Sequence, residues 1–195
     1  MGQSDLLLAA AEAFALPFYA ESHRAYHNAD HVRAVLQALA SRGLLSPPLA
    51  LAAWGHDLVY DPRATDNEER SAEVFGAWLR GQGISSELER EVRALILATR
   101  HTAPPATREE ALLVDADLSI LGADPPTFAA YDTAIRQEYS FVPEETYRAG
   151  RARILQSFLN RERIFSMPEF AGLEAQARTN LTHSIERLQQ KNRPT

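Results

Sequence analysis

Apolar residues recur three or four positions apart through most of the 195-residue chain. Four such stripes lie within residues 32–39, 88–96, 128–139 and 173–188. Side chains at this spacing share one face of an α-helix, so each stripe predicts an amphipathic helix with a buried apolar face. No convincing strand pattern separates the stripes. We therefore predict an all-α fold and, because the length suits one ordinary domain, a single-domain helical bundle over residues 1–195.

The segment 49–59 differs from these stripes because it is apolar almost all round. Such a helix has no polar face for water, which predicts a position at the centre of the bundle with other helices around it. His56 and Asp57 lie near the end of this segment. They require an explanation, since burying a charge without a partner is costly.

Composition excludes several classes of function. The formal net charge of -6 would repel a phosphate backbone, so a nucleic-acid coat is not expected and an anionic substrate must meet local positive charge. The absence of cysteine excludes disulfides and thiolate metal sites and favours a cytoplasmic location. No apolar stretch is long enough to span a bilayer, so no membrane partner is expected. Homo-oligomerisation is left open, and residues 191–195 are predicted to fray.

His56 and Asp57 are the first candidate metal ligands. Adjacent helical side chains diverge by about 100 degrees, which suits two neighbouring coordination positions of an ion beside the helix. A cation there would neutralise Asp57. The alternative is a buried histidine that is paired with an aspartate elsewhere in the fold, so the metal hypothesis requires ligands from other segments.

A second candidate segment contains His27 and His31, near the start of a predicted helix. Residues four apart share a helical face, so at least one of these histidines is a candidate ligand. Asn28 occupies the place of the glutamate in an H-E-x-x-H motif, which removes the general base of a metalloprotease. The alternative for either histidine is a solvated or capping residue.

The third candidate segment is an apolar run that contains Asp115 and Asp117. Carboxylates two positions apart point to nearly opposite sides of a helix, so only one of them is expected to face inward and bind the ion. The alternative role for Asp115 is that of a helix cap.

The spaced residues His31, His56-Asp57 and Asp117 resemble the signature of the HD-domain superfamily of metal-dependent phosphohydrolases. The chain is similar to an uncharacterised bacterial branch of predicted HD phosphohydrolases along nearly its whole length. Further segments that carry the resemblance are Tyr26-His27-Asn28, Trp54 to Asp61, Asn67-Glu68, Ser71-Ala72, Asp115 to Gly122, Ile135 to Tyr139, Tyr147 and Gly150-Arg151.

The resemblance implies a helical bundle that holds a divalent ion with His31, His56, Asp57 and Asp117. Asp117 is the implied ligand rather than Asp115, because the last ligand of the superfamily typically lies in an Ala-Asp-x-Leu context. Two imidazoles and two carboxylates suit manganese, iron, cobalt, nickel, zinc or magnesium, with open positions for water.

Three further residues are candidates for proton transfer or for substrate and metal binding. Asp61 and Glu68 are candidate general acids or bases, although residues 65–68 also fit a capping box. His101 follows an apolar helix and could bind a second metal or a phosphate oxygen. Its alternative is a surface histidine at a helix end.

An acidic protein needs positive charge to hold a phosphate, and Arg24, Arg136 and Arg151 are candidates because a guanidinium fork matches phosphate oxygens. The alternative for each is a solvated or ion-paired arginine on an amphipathic helix. We assign Arg24 and Arg136, together with His27 and His101, to substrate binding.

These assignments predict a metal-dependent phosphohydrolase that cleaves a phosphomonoester or phosphodiester of a nucleotide or another small phosphorylated metabolite. Asp57, Asp61 and Glu68 are its predicted catalytic residues. One alternative is a catalytically silent regulatory module that binds a nucleotide in the same pocket. Another is an oxygen-activating di-iron bundle, which expects Glu-x-x-His pairs on two helices, and the sequence has none.

Overall fold

The computed structural model describes residues 2–190, apart from the side chain of Gln3. This range forms nine α-helices and two short 3-10 helices, and it contains no strand. The elements in chain order are α1 (Gln3–Tyr19), α2 (Ala29–Ala40), α3 (Pro47–Gly55), α4 (Asn67–Gly81), α5 (Ser86–Ala98), α6 (Arg108–Asp117), η1 (Leu118–Gly122), α7 (Pro125–Glu138), α8 (Glu144–Leu159), η2 (Pro168–Leu173) and α9 (Glu174–Gln189). The all-α prediction is therefore confirmed for residues 2–190, whereas the predicted fraying of residues 191–195 lies outside them.

The four apolar stripes form buried faces of α2, α5, α7 and α9. In α2, for example, Val32, Val35 and Leu39 are buried, and these residues lie three or four positions apart as an amphipathic helix requires. No helix within residues 2–190 combines the length and the hydropathy needed to cross a bilayer.

The apolar segment forms the central helix α3. Its N-terminus is set by Ser46, whose hydroxyl accepts a hydrogen bond from the Leu49 backbone N–H at 3.5 Å, and by two prolines in the first turn. Every residue of Leu49–Gly55 is buried, and the helix packs against α1, α2, α4, α5 and α6. The prediction of a helix surrounded by others is confirmed.

Gly55 allows the end of α3 to approach its neighbours closely. A Cβ atom at this position would lie 2.6 Å from Phe75 Cδ1 and 2.8 Å from Ile96 Cδ1, which is too close for either contact. The missing side chain therefore brings the C-terminus of α3 against α4 and α5 at the point where the candidate ligand pair follows in the chain.

The chain divides into two compact units, one that ends at Asp117 and one that begins at Leu118. The first unit contains α1 to α6 and all four predicted metal ligands. The prediction of a single domain over residues 1–195 stays a prediction.

The second unit is held together partly by buried polar groups. The Arg151 guanidinium donates to Asp132 Oδ1 at 3.2 Å, and the Ser184 hydroxyl donates to Asp132 Oδ2 at 2.6 Å. The Asn180 amide donates to the backbone carbonyl of Leu121 at 2.9 Å. Arg151 is thus ion-paired with Asp132, the alternative considered for it from the sequence.

Candidate metal centre

His31 lies in the first turn of α2, and Asn28 fixes the start of that helix. The Asn28 side-chain oxygen accepts hydrogen bonds from the backbone N–H groups of Asp30 at 2.9 Å and His31 at 3.4 Å. These bonds satisfy two of the donors that a helix N-terminus leaves without partners. The residue that replaces the glutamate of an H-E-x-x-H motif is therefore a helix cap, and the His31 side chain is buried.

His27 does not share a helical face with His31, so that prediction is wrong. The helix begins at Ala29 with Asn28 as its cap, which leaves His27 in the preceding loop. The His27 ring stacks on Tyr60 with centroids 4.4 Å apart and meets the His31 ring edge-on at 5.8 Å. His27 is thus a neighbour of the centre, and its assignment to substrate binding stays a prediction.

His56 and Asp57 follow the end of α3 rather than lying within it. The helix ends at Gly55, and the Asp57 and Leu58 carbonyls accept hydrogen bonds from Arg24 instead of continuing the helical ladder. His56 Nδ1 lies 2.8 Å from the Ala53 carbonyl, which can only accept, so Nδ1 carries the proton. In the neutral ring the Nε2 lone pair then faces the other candidate ligands, as it must in a metal-bound histidine.

Asp117 is the last residue of α6, and Asp115 lies one half-turn before it. The alternative role of Asp115 as a cap is wrong: it lies inside the helix near its C-terminal end and is 1% exposed. The expectation that only one of the two carboxylates faces inward is also wrong, because the Asp117 side chain is only 16% exposed. The two side chains enter different parts of the interior, and the Asp117 carboxylate lies beside the imidazoles of His31 and His56.

The four predicted ligands converge within the first unit. His31 Nε2 lies 3.1 Å from His56 Nε2, 3.2 Å from Asp117 Oδ1 and 3.5 Å from Asp57 Oδ2. His56 Nε2 lies 3.0 Å from Asp57 Oδ2 and 3.7 Å from Asp117 Oδ1. His31 lies at the start of α2, His56 and Asp57 follow the end of α3, and Asp117 ends α6. The centre is therefore built from the ends of three helices.

These distances fit a set of ligands around one cation. Ligand atoms bound at about 2.1 Å with bond angles between about 90° and 110° lie about 3.0 to 3.5 Å from one another. A ligand atom from each of His31, His56 and Asp117 lies within 4.8 Å of the other two, so these three residues could hold a metal ion. Asp57 Oδ2 lies at comparable distances from both imidazoles.

The charges of the centre are strongly coupled. Burial alone would lower the pKa of His56, but the carboxylates of Asp57 and Asp117 outweigh it and raise this pKa from 6.5 to about 9. Burial would likewise raise the pKa of Asp57, but the neighbouring histidines, His56 first, hold it well below its usual range. Against the same effect of burial, hydrogen bonds from His101 and His31 keep the pKa of Asp117 low. Both carboxylates are therefore ionised at neutral pH, as a cation site requires.

Arg24 ties the loop before α2 to the turn that carries Asp57. Its Nη1 donates to the carbonyls of His27 at 3.0 Å and Asp57 at 2.7 Å. Its Nη2 donates to the Leu58 carbonyl at 2.9 Å, and its Nε pairs with Glu21 at 2.9 Å. Because the Arg24 side chain has no exposed surface, this geometry favours a positioning residue, and the predicted contact with substrate stays a prediction.

Sequence reasoning missed the role of Tyr26. In the sequence Tyr26 belongs to a segment that carries the resemblance but has no assigned role, yet its hydroxyl lies 3.0 Å from His31 Nδ1. A partner on Nδ1 fixes the ring orientation and directs Nε2 to the metal position. The available signal was a hydrogen-bonding aromatic residue in the loop immediately before the histidine, but nothing local shows which way that loop folds.

The polar segment after the centre has a different structure from the predicted capping box. The cap of α4 is Asp66, not Thr65, and its side chain makes no capping hydrogen bond. The Asn67 side chain instead pairs with the backbone of Asp61, at 3.0 Å to its N–H and 2.9 Å to its carbonyl. Asp61 Oδ1 accepts from the Arg63 backbone N–H at 2.9 Å, so this carboxylate supports the local turn.

Glu68 is better placed for acid–base chemistry than Asp61. It is half-buried in the first turn of α4. Burial, reinforced by the negative charge of Asp57, raises the pKa of Glu68 above its ordinary value. A carboxyl with a raised pKa near a candidate metal centre holds its proton more readily than an ordinary glutamate, which suits a general acid.

The last two predicted site residues lie in different units. His101 Nε2 lies 3.1 Å from Asp117 Oδ2, so its ring contacts the centre and is not a solvated surface group. Arg136 belongs to the second unit, where it pairs with Glu144 at 3.0 Å and donates to the Tyr139 carbonyl at 2.7 Å. The assignment of Arg136 to substrate binding stays a prediction.

Metal affinity is expected to depend steeply on pH. With a pKa of about 9, the His56 imidazole is protonated in the metal-free protein at neutral pH, and metal binding must displace this proton. We expect the apparent affinity to fall about tenfold for each pH unit below about 9. Isothermal titration calorimetry in buffers of different ionisation enthalpy measures both the affinity and the proton release.

The stability of the metal-free protein is expected to change in the opposite direction. Because the folded-state pKa of His56 exceeds its unfolded value of 6.5, the stabilisation is complete below about pH 6.5 and is lost as the pH rises through about 9. Thermal unfolding with a chelator measures this loss. His183→Gln, at an exposed position of α9, serves as the matched control and should leave both profiles unchanged. Metal affinity that stays constant between about pH 6.5 and 9 would contradict this account.

Comparison with known proteins adds no relative. No family model, curated protein or solved structure matches this chain. The resemblance to HD-domain phosphohydrolases therefore stays a prediction that depends on the sequence motifs. Residues 2–190 form an all-α fold, and within it His31, His56 and Asp117 form a cluster that could hold a metal ion.

Proposed function

We propose that this protein is a metal-dependent phosphohydrolase that acts on a nucleotide or another small phosphorylated metabolite. The observation that carries the proposal is the convergence of His31, His56, Asp57 and Asp117, at distances that suit one divalent ion. Two imidazoles and two carboxylates are a mixed nitrogen and oxygen set, which suits manganese, iron, cobalt, nickel, zinc or magnesium.

The arrangement of the ligand atoms favours a bound metal ion over a group of side chains that is held together only by shared protons. Both imidazoles have a neighbour on Nδ1, namely the Tyr26 hydroxyl and the Ala53 carbonyl. The two Nε2 atoms then face each other at 3.1 Å. Two lone pairs would repel at this distance, so either the proton that His56 carries in the metal-free protein or a cation must lie between the two nitrogens. A divalent cation would also neutralise the carboxylates of Asp57 and Asp117 beside them.

A divalent ion bound here would supply Lewis acidity, which lowers the pKa of a water molecule and polarises a phosphoryl oxygen. The residues of the chain would supply position and proton transfer. Asp57 and Asp117 contribute the negative charge that retains the cation, and Arg24 holds the backbone of Asp57 in place. Glu68 is the favoured proton donor to the leaving group, with Asp61 as the other candidate.

Recognition of the phosphate requires positive charge close to the centre. His27 lies in the loop beside it and contributes to the low pKa of Asp57, which places its ring within electrostatic reach of that carboxylate. We propose that His27 binds a phosphate oxygen. A cytoplasmic location and homo-oligomerisation stay predictions.

The test is a screen of phosphomonoesters and phosphodiesters with each of the six ions, scored by phosphate or alcohol release. We expect release with at least one ion and none with a chelator. We expect Glu68→Gln to lower turnover by about 10² to 10³-fold while metal binding stays intact, because this change removes a proton but no proposed ligand. A chain with full metal occupancy that shows thermal shifts with nucleotides but releases no product would overturn the proposal in favour of a regulatory binding module.

A further inference from the structure

His101 has an unusual backbone conformation. Its φ of 56° is the only positive φ of a non-glycine residue within residues 2–190. In this left-handed region a Cβ atom crowds the following carbonyl, so the conformation is disfavoured for histidine and easy for glycine. Such a residue persists only where its surroundings hold it in place, and residues of this kind cluster at functional sites.

The end of α2, in the same unit, shows which residue normally occupies the position that His101 holds at the end of α5. The chain leaves α2 through Ala40-Ser41-Arg42-Gly43 and leaves α5 through Ala98-Thr99-Arg100-His101. Gly43 has a φ of 68°, and its N–H donates to the Ala40 carbonyl at 3.0 Å. The His101 N–H donates to the Ala98 carbonyl in the same pattern, at 3.4 Å. The two helices end alike, but α5 has a histidine where α2 has the favoured glycine.

The contact between the His101 side chain and Asp117 explains why α5 ends in a histidine rather than a glycine. His101 Nε2 lies 3.1 Å from Asp117 Oδ2, and a carboxylate oxygen accepts, so the imidazole is the donor. The other oxygen, Asp117 Oδ1, lies 3.2 Å from His31 Nε2. The carboxylate is thus held on one side by His101 and faces the metal position with its other oxygen.

Asp117 needs such a support because of where it lies. It is the last residue of α6, and its carboxylate must present one particular oxygen to the metal position. A second group that holds the other oxygen fixes this orientation, and fixing ligands before the ion arrives raises affinity.

We propose that His101 is a positioning residue that orients Asp117 for metal binding, and that the chain accepts a disfavoured backbone conformation at the end of α5 to place its ring. The proposal rests on the metal-binding role of Asp117 within the proposed function and does not depend on the reaction catalysed. It differs from the roles considered from the sequence, contact with a phosphate oxygen or with a second metal.

The first test measures metal affinity by calorimetry with manganese and no substrate. We expect His101→Gly to weaken binding by about 10 to 100-fold without changing the number of ions bound per chain. His101→Gln places an amide nitrogen near the position of Nε2 and should keep the affinity within about threefold. His101→Asn suits the left-handed backbone better, but its amide is too short to reach Asp117, so it should behave like His101→Gly.

The second test separates backbone strain from the hydrogen bond by thermal unfolding of the metal-free protein. With Asp117→Ala already present, the bond is absent, and adding His101→Gly should raise the unfolding midpoint by about 2 to 4 °C. The gain should be smaller or reversed when Asp117 is intact, because the bond is then lost as well. The matched control is Gly43→His, where a Cβ meets nothing within 4 Å, and it should lower the midpoint without changing metal affinity.

Several results would overturn the inference. One is an unchanged metal affinity in His101→Gly, and another is an equal loss in His101→Gln. If His101→Gly changes only the KM for a substrate, the ring contacts the substrate. If this variant binds one ion fewer per chain, His101 is itself a metal ligand. If Asp117→Ala binds manganese normally, the ligand set and this inference both fail. If no variant or wild-type protein releases phosphate although the affinities behave as expected, only the proposed phosphohydrolase activity fails.

Discussion

Replacing Asp57 with asparagine is expected to abolish tight binding of a divalent ion and to lower turnover more than about a thousandfold. Asp57 Oδ2 lies 3.0 Å from His56 Nε2 and 3.5 Å from His31 Nε2, and the change removes its negative charge while it keeps the shape of the side chain. Elemental analysis after dialysis measures the ion content, and product release with excess manganese measures turnover.

The matched control for Asp57→Asn is Asp30→Asn. Asp30 is the neighbour of His31 in α2, but its side chain is 89% exposed and pairs with Arg33 at the surface. We expect this variant to keep the ion content and the turnover of the wild-type protein. An Asp57→Asn protein that retains a full complement of ion would remove Asp57 from the ligand set and leave His31, His56 and Asp117 as the cluster.

The second large effect is expected at Arg24, where Arg24→Met should lower the free energy of unfolding by about 3 to 5 kcal/mol. Methionine fills much of the same volume, but it leaves the carbonyls of His27, Asp57 and Leu58 without their charged donor. Burying a carbonyl without a partner is costly, and hydrogen bonds to charged groups are among the stronger ones. Denaturant unfolding of the metal-free protein measures the change.

A surface arginine provides the comparison for Arg24→Met. Arg33 is about half exposed and forms ion pairs with Asp30 and Glu12 at the surface, so Arg33→Met should change stability by less than about 1 kcal/mol. The same experiment distinguishes the two interpretations of Arg24. A substrate-binding arginine would raise the KM and leave stability intact, whereas a positioning arginine lowers stability and metal affinity together.

Most of the helices were predictable because their causes are local. The spacing of Val32, Val35 and Leu39 defines the buried face of α2 without reference to any other segment. The apolar character of α3 likewise predicted a central helix. The predictions were wrong at the helix ends, because α2 begins after His27 and α3 ends before His56. Ends depend on which side chain reaches which backbone group, and several local candidates compete for that role.

The predicted roles of single polar residues were less reliable than the helices. Asp115 is buried inside α6 rather than a cap, and Asn67 pairs with the backbone of Asp61 instead of joining a capping box. Tyr26 lies on His31, although its position in the sequence fits an ordinary core edge. The contacts of Asn67 and Tyr26 depend on how a loop folds back against the helix that follows it, and the burial of Asp115 depends on the packing of α6. Periodicity and capping patterns contain neither kind of information.

The amino-acid order alone specifies the helical segments, the apolar centre and the types of side chain that can bind a cation, because periodicity, hydropathy and donor chemistry are properties of short stretches. Whether His31, His56, Asp57 and Asp117 meet is decided by the packing of α2, α3 and α6, since their convergence depends on how distant helices approach. The support from Arg24 and His101 was decided in the same way. Contacts between residues far apart in the chain arise from the sum of many weak packing interactions, and this sum cannot be read from any single segment.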